Sequence, residues 1–171
     1  MANKQVVYVD ERDLVVGAGT IEKALEKGYA VRIVRIFITN HKRKILLQQR
    51  SSNIKNYPLK WDQSAGGHVD EAESYHQAAK RELFEEMGIS NIDLQQVCKY
   101  FTVEPYKDYS RKRHNVIYIG NYDGEVKIDN HEVSDYKWLS FDRLNAWINN
   151  SPDDFTNGFI DAYSRLYKLL K

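Results

Sequence analysis

Glu82, Glu85 and Glu86 stand at positions i, i+3 and i+4 of the segment RELFEEMGI. At about 100° per residue a helix gathers these carboxylates within a ~100° arc of one face, close enough to share one or more divalent cations. Carboxylate oxygens are hard donors suited to Mg²⁺ or Mn²⁺, and Mg²⁺ commonly bridges protein carboxylates to substrate phosphates. With no cation present the charges repel by roughly a few tenths of a kcal/mol per pair, a cost that a bound ion reverses. A run such as RELFEE is also what an ordinary solvated helix face looks like. The surrounding residues have to decide between the two.

The helix that would carry the glutamates has marked ends. Ser74 followed three residues later by Gln77 predicts a capping box, and Gly88 stands where a left-handed C-terminal cap is wanted. Tyr75, Ala79, Leu83 and Met87 recur at four-residue steps and form an apolar stripe beside the acidic one. One face can pack on a core while the other meets a cleft. Upstream, Trp61 to Ala65 leads through a glycine loop, Gly66-Gly67, into this helix. Residues 6–9 and 14–16 read as short strands and 21–27 as a helix ended by Gly28. Residues 31–39 (VRIVRIFIT) and 44–49 (KILLQQ) read as the two strands of an antiparallel hairpin around a turn at 40–43. Further strands are expected at 94–103, 115–122 and 136–139, and helices at 140–149, opened by a Ser140 cap, and 155–170. Repeats, low-complexity tracts and long linkers are absent from the sequence. A mixed sheet flanked by helices follows from this order.

A chain of 171 residues can bury a core without staples. Cys98 is the only cysteine, so no disulfide framework can form, and the opening MANKQVVYVDERD is too charged for a secretory signal. With no membrane-spanning apolar run either, a cytoplasmic protein is expected. Lys plus Arg is 25 against 24 for Asp plus Glu, so no global field argues for nucleic acid or a membrane as partner. The oligomeric state stays open, a homodimer included.

From Gly67 the chain runs five residues to Glu73, seven more to Arg81-Glu82, then Leu83, Glu85-Glu86, Gly88 and Ile89. This resembles the Nudix box at every defined position, without insertion. The resemblance implies the Nudix α/β/α sandwich, with one domain over residues 1–171: a core at about 30–140 and C-terminal helices at about 140–171. It assigns Glu82, Glu85 and Glu86 to metal binding, names Glu82 as a candidate base, and makes the Gly66 carbonyl a further candidate ligand. Arg81, grouped with the glutamates at the catalytic centre, and Glu73 would orient the helix and the loop, with Gly67 supporting them.

The chemistry so implied is attack of a metal-activated water on phosphorus in a diphosphate linkage, with Mg²⁺ or Mn²⁺ as cofactor. The substrate would be a small diphosphate or a nucleotide, such as a nucleoside diphosphate derivative. Arg50 and the run Arg111-Lys112-Arg113-His114 are candidates to neutralise the departing phosphate, though each also reads as a solvated loop charge. Glu132, in NHEVSDYKW, is a candidate fourth acidic ligand or base, or simply a turn residue. Tyr57, Trp61, Phe101, Tyr106 and Tyr109 are candidates to stack on a base, although most aromatics of such a domain are core.

Residues 6–140 further resemble the Nudix branch related to type I isopentenyl-diphosphate isomerase, through Val9-Asp10-Glu11, residues 31–50, Pro58, Trp61 and residues 132–138. That isomerase needs a cysteine where this chain has Gly66 and a histidine where it has Val31. Its acidic stretch is replaced here by Arg111 to His114, and only His68 matches its histidine cluster. Hydrolysis is therefore expected over isomerisation. A non-catalytic nucleotide-binding module is the third reading, disfavoured because a binding module has no need of a self-repelling carboxylate set.

Overall fold

The computed structural model describes residues 5–171. At its centre runs β3 (Ala30–Thr39), the β-branched stretch of the sequence. Its alternating side chains face two layers. Val34, Ile36 and Ile38 enter one core with Ala78, Ala79, Leu83 and Met87 of α2 (Tyr75–Met87). Phe37 enters another with Leu144 of α3 (Phe141–Asn150) and Phe159, Ala162 and Leu166 of α4 (Asn157–Leu169). Helices on both faces of a mixed sheet give the expected sandwich. On the α3/α4 side, Val31 and Ile33 belong to a third cluster with Val6 and Tyr8 of β1 (Val6–Val9) and Ala24 of α1 (Ile21–Lys27).

The sheet is mixed because β8 (Tyr109–Asn121) runs parallel to β3, from Ala30↔Lys112 to Thr39↔Asn121, while the other pairs are antiparallel. β7 (Gln95–Tyr106) pairs with β8, and β2 (Val15–Gly19) with β1. The capping box at Ser74/Gln77 and the left-handed Gly88 (φ 67°) bound α2 as the sequence predicts. Ser140 caps α3, whereas the last helix begins later than residue 155, after a 3-10 turn at Pro152–Asp154 and a Thr156 cap.

Three further expectations change, and each of these changes shapes the cleft. The β3/β4 hairpin exists only at its tip, where Thr39 pairs with Ile45. Beyond it, β4 (Lys44–Arg50) pairs instead with β9 (Val133–Ser140), and the buried Ser64 hydroxyl bridges the parting strands. It accepts from the Ile38 amide at 2.8 Å and donates to the Leu46 carbonyl at 2.7 Å. Beside the two residues of β5 (Trp61–Asp62), Gly66-Gly67 is not a loop but part of β6 (Ala65–His68), lying along β3 with Gly66 opposite Arg35 and Gly67 opposite Val34. Finally, Arg111 to His114 lies inside β8, which starts at Tyr109. Polar residues 109–114 carry no apolar alternation, so the strand was not visible there; pairing with β7 makes it one.

Candidate active site

The parting of β3 and β4 opens a cleft of about 400 Å³ between α1 and the N-terminal end of α4. Glu82 and Glu86 line it, 6% and 5% exposed, beside Gly66, Gly67 and His68 of β6. Gly67 is needed there, since a Cβ at that position would overlap the Glu82 carboxylate. Glu86 Oε2 accepts from Gln48 Nε2 at 2.7 Å and from the Gly66 amide at 3.2 Å. Burial, reinforced by the negative charges of Glu82 and Glu132, nevertheless holds the Glu86 carboxyl well above the usual carboxylate range. Glu132 reaches the same cleft from the turn before β9.

Glu85 is placed differently. Its side chain is 45% exposed, and its carboxylate takes Arg81 Nη1 at 3.1 Å rather than lining the cleft. Among the described residues no three His, Cys, Asp or Glu side chains converge as a ready-made metal cage. Of the three box glutamates, Glu82 and Glu86 are the ones that meet in the cleft, with Glu132 bordering it from the turn before β9. The pair suffices for a cation that completes its shell with water and phosphate oxygens. Arg81 also lies outside the cleft lining, as a strut. It bonds Glu73 through Nε (2.7 Å) and Nη2 (2.8 Å), Glu82 through Nη1 (2.6 Å) and the His68 carbonyl at 3.1 Å. Those bonds, Glu73's foremost, push its pKa up further still.

The basic candidates separate by strand alternation. Arg111 and Arg113 share one face of β8: Arg111 lies over the Tyr106 ring at 3.7 Å, and Arg113 meets Glu104 at 3.2 Å. Lys112 also borders the cleft, but its side chain points to the other face of β8 and pairs with Glu11 at 3.1 Å. Arg50 lines the cleft, donating to the Asn56 carbonyl at 3.0 Å and lying 3.7 Å from Asp62. Of the five aromatic candidates only Tyr57 lines the cleft. Trp61 is core, edge-on to Trp147. Phe101 packs on His114, Tyr106 underlies Arg111, and Tyr109 closes the β7/β8 hairpin opposite Tyr106.

Arg35 is a cleft residue that sequence reasoning missed. It is 8% exposed and donates to Asn115 Oδ1 at 3.1 Å and Gln63 Oε1 at 3.3 Å. The available signal was an arginine that shares its face of the VRIVRIFIT strand with Val31, Ile33 and Phe37, whereas Arg32 alternates to the other face.

A family model of the NUDIX domain matches residues 30–159, which include all of β3 to β9 and α2. The chain belongs to the Nudix family. An isopentenyl-diphosphate Delta-isomerase 2 of Photorhabdus laumondii is 34% identical over 156 residues, spanning 90% of this Nudix chain and 87% of the relative. An uncharacterized Nudix hydrolase of Nostoc sp. is 32% identical over 143 residues, spanning 82% and 83%. The crystal structure of DR0079 from Deinococcus radiodurans superposes with a TM-score of 0.71 at 25% identity, covering 86% of this chain and 90% of that one. Among the described residues, no helix of this Nudix protein is long and apolar enough to cross a membrane.

Proposed function

We propose that this Nudix protein is a Mg²⁺- or Mn²⁺-dependent hydrolase of a diphosphate linkage in a nucleotide or nucleoside diphosphate derivative. The observation that carries the reading is the pairing, in one cleft, of two buried glutamates with arginines from β3, β4 and β8. Glu82 and Glu86 would hold the cation, with the Gly66 carbonyl as a further donor. The bound ion would supply Lewis acidity toward water and phosphate oxygens. In the reaction, a water oxygen bonds to phosphorus, the bridging P–O bond breaks, and the water's proton leaves through a base. Glu82 is assigned that role, oriented by Arg81. Arg81 and Glu73 act as positioning residues, with Glu85 anchoring Arg81 from the solvent side. Arg50, Arg111 and Arg113 compensate charge on the departing phosphate. A screen of nucleotides and diphosphate conjugates with either metal, reading release of phosphate, pyrophosphate or monophosphate, tests this; no turnover of any diphosphate would overturn it.

The strand alternation sharpens one expectation. Arg113→Ala or Arg111→Ala should lower kcat/KM by roughly 10- to 150-fold, the loss of one desolvated charge-assisted bond of about 1.5–3 kcal/mol. Lys112→Ala should stay near wild type, because its side chain lies on the opposite face of β8 from Arg111 and Arg113. Steady-state kinetics of the three variants checks this, and equal losses at all three would contradict the placement.

An isomerase reading draws support from the relative named as an isopentenyl-diphosphate isomerase. Two features weigh against it. A Cβ at position 66 would lie 2.7 Å from the Val34 carbonyl oxygen, so a cysteine there needs the backbone to move. Val31, at the position of the expected histidine, is buried and aliphatic. Cys98 is half-buried on β7, packed with the α4 core and apart from the cleft lining. Alkylating it in the folded protein should leave turnover unchanged. Conversion of isopentenyl diphosphate to its isomer, abolished by blocking Cys98, would replace hydrolysis with isomerisation.

A further inference from the structure

A buried guanidinium is costly unless something compensates its charge. Arg35 has neutral hydrogen-bond partners, the amide oxygens of Asn115 and Gln63, and no ion pair joins it to a carboxylate among the described residues. The nearby buried Asp62 lies 3.7 Å from Arg50 and feels the positive charges of both Arg35 and Arg50, so a single carboxylate faces two guanidinium groups. Space for Arg35 is provided from across the cleft, by Gly158 in the first turn of α4. A Cβ there would lie 2.8 Å from Arg35 Nη2. Arg113 stands beside it, 16% exposed in its side chain, and its Nε is buried with no hydrogen-bond partner. Burial, then the positive charges of Arg111 and Arg35, pull the Arg113 pKa down to about 10. The cleft therefore presents guanidinium donors that the protein itself leaves underused, bordered by the Thr156 cap of α4.

We propose that Arg35 and Arg113, with the space left by Gly158, form an anion subsite that takes the substrate phosphate not held at Glu82 and Glu86. This rests on the diphosphate reading above and extends it to a second phosphate position, recognised by the chain rather than by the metal. Planar guanidinium forks suit the task, since each can pair two oxygens of a phosphate. Asn115 and Gln63 fix the Arg35 fork without neutralising it, and Asp62, shared with Arg50, offsets only one of the two positive charges, which leaves positive charge for the ligand.

Inorganic pyrophosphate, titrated calorimetrically into the full chain in excess chelator, tests the subsite apart from the metal. The wild type should bind, and Arg35→Ala and Arg113→Ala should each weaken binding by roughly 10- to 150-fold. Arg35→Lys, which keeps the charge and loses the fork, should fall between. Gly158→Ala keeps every charge and favours the helix, yet displaces Nη2, so it should weaken pyrophosphate without lowering the thermal midpoint. If Arg35→Ala fails to fold, Arg35→Lys and Gly158→Ala carry the comparison. Pyrophosphate bound equally by the wild type and both of these variants would overturn the subsite, as would a wild type that does not bind. A wild type that binds pyrophosphate through Arg35 yet hydrolyses no diphosphate with Mg²⁺ would overturn the hydrolase reading and leave the subsite standing.

Discussion

Glu86→Gln should lower metal-dependent turnover by at least ~10², while the metal-free protein becomes more stable. The substitution keeps the shape of the side chain, and its amide oxygen can still accept from Gln48 and the Gly66 amide. It removes a charge that burial and the Glu82 carboxylate oppose. The pH dependence has a definite sign. A carboxyl whose folded pKa is raised binds its proton more tightly when folded, so its contribution is favourable below the unfolded value, near 4.5. That contribution is lost as pH rises towards the folded value. The metal-free wild type should therefore match Glu86→Gln near pH 4.5 and fall progressively behind it towards neutral pH. Added Mg²⁺ should stabilise the wild type at neutral pH and affect the variant much less. Thermal melts across pH with and without metal, together with kcat, check all three. Unchanged turnover in the variant, or full wild-type activity in excess chelator, would remove Glu86 from the mechanism.

Arg81→Ala should cost stability as well as activity. The substitution leaves the carboxylates of Glu73, Glu82 and Glu85 clustered without the guanidinium that joins them. Breaking a buried pair costs about 3–5 kcal/mol. With a fifth of the Arg81 side chain exposed, solvent screening reduces that to about 2–4 kcal/mol. For a chain of this length that is roughly 4–16 °C in melting temperature. Turnover should drop at least ~10-fold at temperatures where the variant remains folded, because Glu82 loses its 2.6 Å anchor. Arg81→Lys should recover part of the stability, since one ammonium cannot reproduce bonds made through three guanidinium nitrogens. A variant with a wild-type melting temperature would show the network to be ornamental.

Gly67, Glu73, Arg81 and the three glutamates were legible because their relation is local. The spacing of one helix and its entry strand sets it, and Ser74, Gln77 and Gly88 mark that helix through contacts a few residues apart. The same locality made β1, α1 and the α3 cap readable, each from a short pattern of its own. The sequence by itself thus determined the family, the sandwich and the acidic half of the cleft. Tertiary structure decided the rest. Whether a carboxylate on an acidic face meets the cleft depends on what lies over it, and β6 and Arg81 leave Glu82 and Glu86 inside and Glu85 outside. Pairing with β7 and β3 turned the polar residues 109–114 into strand, and alternation then sent Arg111 and Arg113 to one face and Lys112 to the other. Arg35 acquires its role from Gln63, Asn115 and Gly158, residues far from it along the chain. Hydrogen-bond partners and steric space at such separations are fixed only when the sheet closes and α4 docks, so no local pattern could announce them.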